Sequence, residues 1–278
     1  MKGIIETARR ELGVSGAEAE LIVATLLDRP RFEVYYNASL SPADRAGLRL
    51  RLKQLKRGVP LEYVTKRVRF LDRSLSIQPG IFIPRLETEY FIELIRRLIP
   101  EPPRNILEIG TGCGAIAIAL TDVFPQARIV ATDISGQALA TARENIERFD
   151  RSDRIDLVRA SLFNGLSGRY DLIVSNPPYI PVERLPDLPR SVREFEPIRA
   201  LCGGPGGIRF IRAILDESPR LLEPGGLVGL EIDEESTASL TDCVKRLAQP
   251  FSFHPDLFGC TRYFFLGETR HEKRHDHH

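Results

Sequence analysis

No stretch of this 278-residue chain approaches the roughly 18 consecutive apolar residues of a membrane span. Its start, with Lys2, Arg9, Arg10 and Glu11, is charged where a secretory signal would be apolar. A soluble, cytoplasmic protein is expected. Histidine is scarce, and only His254 precedes the tail that begins at His271; this argues against a Ser-His-Asp triad and against a multi-histidine metal site. The four cysteines, Cys113, Cys202, Cys243 and Cys260, stand far apart and form no C-x-x-C pair. Neither a zinc ribbon nor a disulfide framework is suggested, and reduced thiols in packed positions are expected. No internal repeat or low-complexity segment is present.

An overall excess of one charge is also lacking, since the net charge is +1. Its distribution is uneven: residues 1–80 hold 15 Lys/Arg against 9 Asp/Glu, and residues 81–278 hold 24 against 29. Between Arg45 and Arg73 ten basic residues meet only Glu62 and Asp72. Such a run is either a solvated helix face or a docking surface for an acidic partner or RNA.

What is present is periodic. Ile4, Ile5, Ala8 and Leu12 recur at helical spacing, as do Ala19 to Leu27 and, after a Ser41-Pro42 start signal, Ala46 to Leu55. From Glu62 to Ile83 short β-branched and aromatic runs predict a strand pair or hairpin linking two domains. Strands and helices then alternate. Strands are expected at Asn105–Ile109, Arg128–Thr132, Ile155–Val158, Asp171–Ser175 and Gly226–Ile232, and near Phe251 and Tyr263. Helices are expected from Ala115, from Ser135 to Glu147, from Gly207 to Leu222 and from Glu234 to Ala248. That alternation predicts an α/β fold, an open, mostly parallel sheet covered by helices on both faces.

Two segments carry chemistry. The first is Glu108-Ile109-Gly110-Thr111-Gly112-Cys113-Gly114, set between a strand and a helix. Glycines let backbone approach a ligand closely beside a helix N-terminus. Asp133 follows 23 residues after Gly110, at the end of the next strand, where a carboxylate can accept both ribose hydroxyls of an adenosine. The pattern also satisfies a dinucleotide fingerprint. Glu108 favours S-adenosylmethionine, because a carboxylate there can hold a methionyl ammonium and would repel a pyrophosphate.

The second segment is Asn176-Pro177-Pro178-Tyr179, at the carboxyl end of the fourth strand. In an open sheet that end adjoins the first strand's glycine loop. An amide or exocyclic amine nitrogen is a poor nucleophile because its lone pair is delocalised, as the ~18–20 kcal/mol peptide rotation barrier shows. The Asn176 side-chain oxygen and the Pro177 carbonyl can accept both N–H bonds of an NH2 group and turn its lone pair toward a methyl donor. The Pro177-Pro178 step lacks N–H groups and is stiff, so the carbonyl is aimed without reorganisation. The Tyr179 ring offers a flat face to a planar acceptor.

These residues resemble the HemK/PrmC family of release factor protein-(glutamine-N5) methyltransferases. The similarity runs through Pro60-Leu-Glu-Tyr63, Ile83-Pro-Arg-Leu-Glu-Thr-Glu89, Glu108 to Gly114, Asp133-Ile-Ser135, Ile173 to Ile180, Glu196-Pro197, Ala200-Leu201, Gly203-Gly204 and Asp256-Leu-Phe-Gly259 with Arg262. It implies a Rossmann-like, seven-stranded class I methyltransferase sheet with a small N-terminal helical domain and a β-hairpin linker. The implied boundaries are a helical substrate-recognition domain over 1–60, the linker over 61–83, the catalytic domain over 84–270 and a polar tail over 271–278. It further implies S-adenosylmethionine as cofactor and methyl transfer to the glutamine of the Gly-Gly-Gln motif in class I peptide chain release factors, with neither a membrane nor a nucleic-acid substrate. Asn176, Pro177 and Tyr179 would be catalytic, and Asn176 to Tyr179 would hold the glutamine. Glu108, Gly110, Thr111, Gly112, Cys113, Gly114, Asp133, Leu162 and Asn176 would surround the cofactor.

The chain departs from the family pattern at Lys66, where glycine is usual, and at Leu86, Cys113, Ser161 and Gly203-Gly-Pro-Gly-Gly207. Two other readings accommodate the same motifs. A nucleobase methyltransferase would present a similar amine to the same acceptors, although the catalytic half is net acidic. A non-catalytic cofactor-binding module would more naturally carry a degenerate Asn-Pro-Pro-Tyr.

Overall fold

The computed structural model describes residues 2–30, 41–99, 101–247 and 249–269; the tail expected over 271–278 lies outside them. The N-terminal periodicity becomes α1 (Lys2–Leu12), α2 (Gly16–Leu27), α3 (Pro42–Lys56) and the short α4 (Leu61–Thr65). Ser15 starts α2 through a reciprocal capping box: its hydroxyl accepts from the Glu18 N–H at 3.3 Å, and the Glu18 carboxylate accepts from the Ser15 N–H at 2.8 Å. Ser41 caps α3 ahead of Pro42, its hydroxyl accepting from the Asp44 N–H at 3.1 Å. The apolar stripes of these helices meet in a small core of Ala8, Ala19, Val23, Leu26, Leu48, Leu52 and Val64. Lys66, where a glycine was expected from the family pattern, adopts a left-handed conformation with φ 58°, the conformation glycine takes without strain.

Residues up to Arg67, together with Pro189–Phe195, cluster into one compact unit; Val68–Leu188 and the residues from Glu196 onward form a second. The hairpin expected from Glu62 starts only after α4, whose helical turn takes up Glu62 to Thr65: it consists of β1 (Arg67–Phe70) and β2 (Arg73–Ser76). Then come α5 (Leu86–Leu98), β3 (Asn105–Ile109), α6 (Ala115–Val123), β4 (Arg128–Asp133), α7 (Gly136–Arg148), β5 (Ile155–Arg159) and β6 (Tyr170–Ser175). After β6 the chain makes β7 (Ile180–Pro181), α8 (Arg190–Phe195), α9 (Ile198–Leu201) and β8 (Cys202–Gly204). It ends with α10 (Arg209–Glu217), β9 (Leu222–Glu231), α11 (Thr237–Val244), β10 (Phe251–Pro255) and β11 (Thr261–Leu266).

Seven of these strands form one sheet in the order β10-β11-β9-β6-β3-β4-β5. The five from β9 to β5 are parallel; β11 runs antiparallel to β9, and the edge strand β10, antiparallel to β11, shares the direction of the five. This is the Rossmann-like, seven-stranded arrangement expected. Leu107, Ile173, Val228, Leu230, Phe264 and Leu266 on one face pack with Ile211, Ile214 and Leu215 of α10. The opposite face receives α5, whose Phe91 stacks on Tyr263 with ring centroids 5.5 Å apart and tilts against Phe265. The chain order reverses direction beside β3, so the loops after β3, β4 and β6 open at one edge, the usual place for a ligand in such sheets.

Several boundaries differ from expectation. The helix expected to reach Leu222 ends at Glu217, and Ser218–Arg220 is a single 3-10 turn, as Pro219 requires. Strand β9 begins four residues before the expected Gly226 and absorbs Gly225 in a register shift against β6. The expected helix from Glu234 is α11 flanked by 3-10 turns; its expected end, Ala248, lies outside the described residues.

Candidate functional site

The segments leaving β3, β4 and β6 wall a cavity of about 460 Å³. After β3 the chain turns through Gly110, Gly112 and Gly114, at φ 77°, 57° and 86°, a left-handed region that favours glycine. A Cβ at Gly110 or Gly112 would meet nothing within 4 Å, because both face the open cavity. The loop is anchored by the Gly110 and Thr111 N–H groups, each donating to the Thr132 carbonyl at 2.8 Å. Gly114 lies outside the lining and packs on Ala142, with 3.4 Å between its would-be Cβ and the alanine's. Asn145 of α7, fully buried, ties the loop to the hairpin: its amide donates to the Cys113 and Ser76 carbonyls and accepts from the Ser76 N–H.

Asp133 ends β4 beside this loop. Its carboxylate accepts from the Gly112 N–H at 3.0 Å and the Ser135 N–H at 2.8 Å, so it shapes the glycine turn as well as facing the cavity. Glu108 is buried at the end of β3. One of its oxygens accepts from the Thr111 hydroxyl at 2.8 Å, while Oε1 has no hydrogen-bond partner among the described residues. Burial pushes its carboxyl up to about 8, against the opposing effects of Thr111 and the Ala117 backbone and with some help from Asp133. Cys113 is buried too, and its thiol is pushed up to about 12, so it stays protonated and inert. Leu162 lines the cavity with a φ of 50°, an uncommon conformation for a residue with a side chain.

Asn176, Pro177 and Pro178, which leave the neighbouring strand β6, line the same cavity. Close backbone contact holds this turn. A Cβ on Gly203 would collide with the Gly207 carbonyl and sit 2.7 Å from the Pro178 carbonyl, and one on Gly207 would collide with the Tyr179 carbonyl. The glycines after Cys202 therefore let one backbone lie directly on the other, and Ile180 pairs with Cys202. Tyr179 lies outside the cavity lining; its hydroxyl donates to Glu231 Oε1 at 3.0 Å and its ring packs against the core. The Thr88 hydroxyl donates to Glu231 Oε2 at 2.8 Å and accepts from Asn176 Nδ2 at 3.0 Å. A further wall is fixed by Glu196, buried, whose carboxylate pairs with Arg85 and accepts from the Ile83 N–H at 3.2 Å. That contact sets Phe82 and Pro84 in the same lining as Pro197 and Arg199.

The cavity thus gathers Glu108, Gly110, Thr111, Gly112, Cys113, Asp133, Leu162, Asn176, Pro177 and Pro178, and leaves Gly114 and Tyr179 beside it. Thr88, Asn145, Glu196 and Glu231 were not singled out by chemistry in the sequence. For Glu231 a signal existed: a carboxylate at the inner end of an otherwise apolar strand. Among the described residues no group of three His, Cys, Asp or Glu could hold a metal.

The Methyltransferase small domain family matches residues 88–184, from the threonine beside Asn176 through the glycine loop and the Asn-Pro-Pro-Tyr turn. A release factor glutamine methyltransferase of Moorella thermoacetica is 37% identical over 86% of this chain and 87% of its own length. The chain belongs to the release factor glutamine methyltransferase family. A second member, from Geobacter sulfurreducens, is 38% identical over 80% of this chain and 79% of its own. Among solved structures, the hMettl16 catalytic domain, in complex with a 3′UTR hairpin, superposes with a TM-score of 0.58 at 20% identity, over 79% of this chain and 80% of that one. It shares the fold.

Membership makes S-adenosylmethionine the cofactor, and the cavity fits it. Two glycine faces are open, Asp133 stands at a strand end, and a buried carboxylate oxygen lacks a partner, as a site for a ribose and an ammonium requires. No helix among the described residues is long and apolar enough to cross a membrane.

Proposed function

We propose that this chain transfers a methyl group from S-adenosylmethionine to the side-chain amide nitrogen of the glutamine in the Gly-Gly-Gln motif of class I release factors, in the cytoplasm and with no direct nucleic-acid substrate. The observation that carries the reading is one cavity lined both by the glycine loop with Asp133 and by Asn176 and Pro177. When bound, the cofactor supplies an electrophilic methyl. Asn176 and Pro177 take the two amide N–H bonds and turn the nitrogen's lone pair out of conjugation. In-line positioning then supplies most of the acceleration, with effective molarities on the order of 10⁵–10⁸ M for well-oriented groups. No histidine is needed, and none lines the cavity. The test is incubation with labelled cofactor, a purified release factor and RNA, followed by mass mapping. Label confined to the Gly-Gly-Gln peptide supports the reading, and label in RNA but not protein replaces it with a nucleobase activity.

Asp133 supplies the cofactor arm of this reading. Asp133→Ala is expected to weaken S-adenosylhomocysteine binding by about 1.5 kcal/mol, the low end for hydrogen bonds to charged groups, because two of the carboxylate's lone pairs already serve Gly112 and Ser135. Unchanged affinity in calorimetry would remove Asp133 from the ribose site.

Contacts to a single glutamine side chain cannot select one protein among many, so the reading requires a second contact. Arg49, Lys53, Lys56 and Arg57 are exposed on and just after α3 and suit an acidic protein surface, where opposite charge chiefly speeds encounter. Arg51 belongs to the fold instead, since its guanidinium donates to the Leu26 carbonyl. Neutralising the four exposed residues is expected to raise KM for the intact release factor by roughly tenfold at low salt, with a flatter salt dependence. KM for a Gly-Gly-Gln peptide should barely change. Equal losses on protein and peptide would assign the segment to stability alone.

A further inference from the structure

Both ends of Asn176-Pro177-Pro178-Tyr179 converge on one fully buried carboxylate. Tyr179 reaches Glu231 Oε1 directly, and Asn176 reaches Oε2 through Thr88. We propose that Glu231 and Thr88 are positioning residues for the transfer, fixing by hydrogen-bond direction which end of the Asn176 amide faces the substrate nitrogen; this rests on the role given above to Asn176.

The direction follows from the donor inventory. An ionised carboxylate only accepts, so the single hydroxyl protons of Thr88 and Tyr179 both point at Glu231. With its proton committed, Thr88 Oγ1 can only accept from Asn176. It therefore selects the amide's NH2 end, at 3.0 Å, and leaves Oδ1 for the cavity. The alternative orientation differs by a half-turn that costs little sterically. It would aim an NH2 group at the substrate's own NH2, where two donors cannot pair. Pro177 and Pro178, held between these two anchored residues, keep the Pro177 carbonyl in place.

The groups facing Glu231 favour opposite states. Burial and Glu87 of α5 raise its carboxyl, while Thr88, Tyr179 and Arg262 of β11 lower it; Tyr263 of β11 also faces it. The carboxyl lies at about 7, so acid should protonate it. Its new O–H must then donate to Thr88 or Tyr179 and reverse one arm of the network.

The test compares wild type, Thr88→Val, Thr88→Ser, Glu231→Gln, Asn176→Ala, and Thr88→Val combined with Asn176→Ala, by saturation kinetics on a release factor and by S-adenosylhomocysteine calorimetry. Thr88→Val is expected to lower kcat about tenfold or more, as a misplaced reacting group does, with KM and cofactor affinity nearly unchanged. Thr88→Ser should restore most of the rate. In the Asn176→Ala background Thr88→Val should cause no further loss, and the fall in wild-type kcat below about pH 7 should be absent in Glu231→Gln. A normal kcat for Thr88→Val, no rescue by serine, or an undiminished loss in the Asn176→Ala background overturns the positioning role while leaving the activity intact. A wild type that leaves the release factor unmethylated overturns the functional reading and this role with it. Should Glu231→Gln fail to fold, the three threonine comparisons decide alone.

Discussion

Replacing Asn176 with alanine is expected to lower turnover on a release factor by roughly 10²- to 10³-fold, the range seen on deleting one preorganised polar contact to a transition state. The physical reason lies in the acceptor. Amide conjugation holds the lone pair in the plane, so the nitrogen attacks a methyl group only after its N–H bonds have been drawn to one side. Asn176 lines the cavity and its Nδ2 already donates to Thr88, so in the role proposed above Oδ1 is the end left to accept from the substrate. Water in the space left by alanine would supply an oxygen but not a fixed one. The cofactor wall is built from other parts, Gly110 to Cys113 and Asp133, so S-adenosylhomocysteine affinity should change by far less. Rapid-quench turnover with labelled cofactor, beside calorimetry on the same preparation, separates the two. Near-normal turnover at saturating substrate would sink the polarising role.

The parts of this site that could be read from the sequence are those whose chemistry is local. Gly110 to Gly114 announces a tight turn because only glycine takes three left-handed positions so close together, and Asn176 to Tyr179 stands out because two prolines and two polar side chains follow an apolar strand. The strand ends place both turns on one edge. What could not be read are contacts between distant segments: Thr88 lies 143 residues from Glu231, and Glu196 lies 113 residues from Ile83. No period or spacing encodes such pairs. Tyr179 shows the consequence, since a ring expected to face the substrate is tied through its hydroxyl to a carboxylate on another strand. Boundaries were misjudged where glycine and proline serve tertiary packing. The strand is expected only from Gly226, yet Gly225 sits inside β9 where its register against β6 shifts.

Glu108 gives the last expected result, a cofactor affinity that depends steeply on pH. In the free protein its carboxyl lies at about 8 because it is wholly buried, so near neutrality and below it is mostly the neutral acid. A methionyl ammonium presented to Oε1, the oxygen without a partner, stabilises the carboxylate instead, and binding must release a proton. The sign follows from linkage: where the free protein holds one more proton than the complex, affinity rises tenfold per pH unit, and it levels off once the free carboxyl ionises. With the carboxyl half ionised and the ligand's amine partly deprotonated at pH 8, S-adenosylhomocysteine should therefore bind roughly 20-fold more weakly at pH 6 than at pH 8. Above that, affinity should fall again as the ligand's amino group, ordinarily near ~7.7–8.0 for an α-amine, loses its own proton. Glu108→Gln keeps the size and the hydrogen bond to Thr111 but has no proton to give up, so its acid limb should be flat and its affinity at pH 8 lower than wild type. Calorimetry in buffers of different ionisation enthalpy reads the released proton directly. A wild type that binds with no proton release at pH 6.5, or a Glu108→Gln variant with the same acid limb, would move the ammonium away from Glu108 and leave its buried oxygen to a structural role beside Thr111.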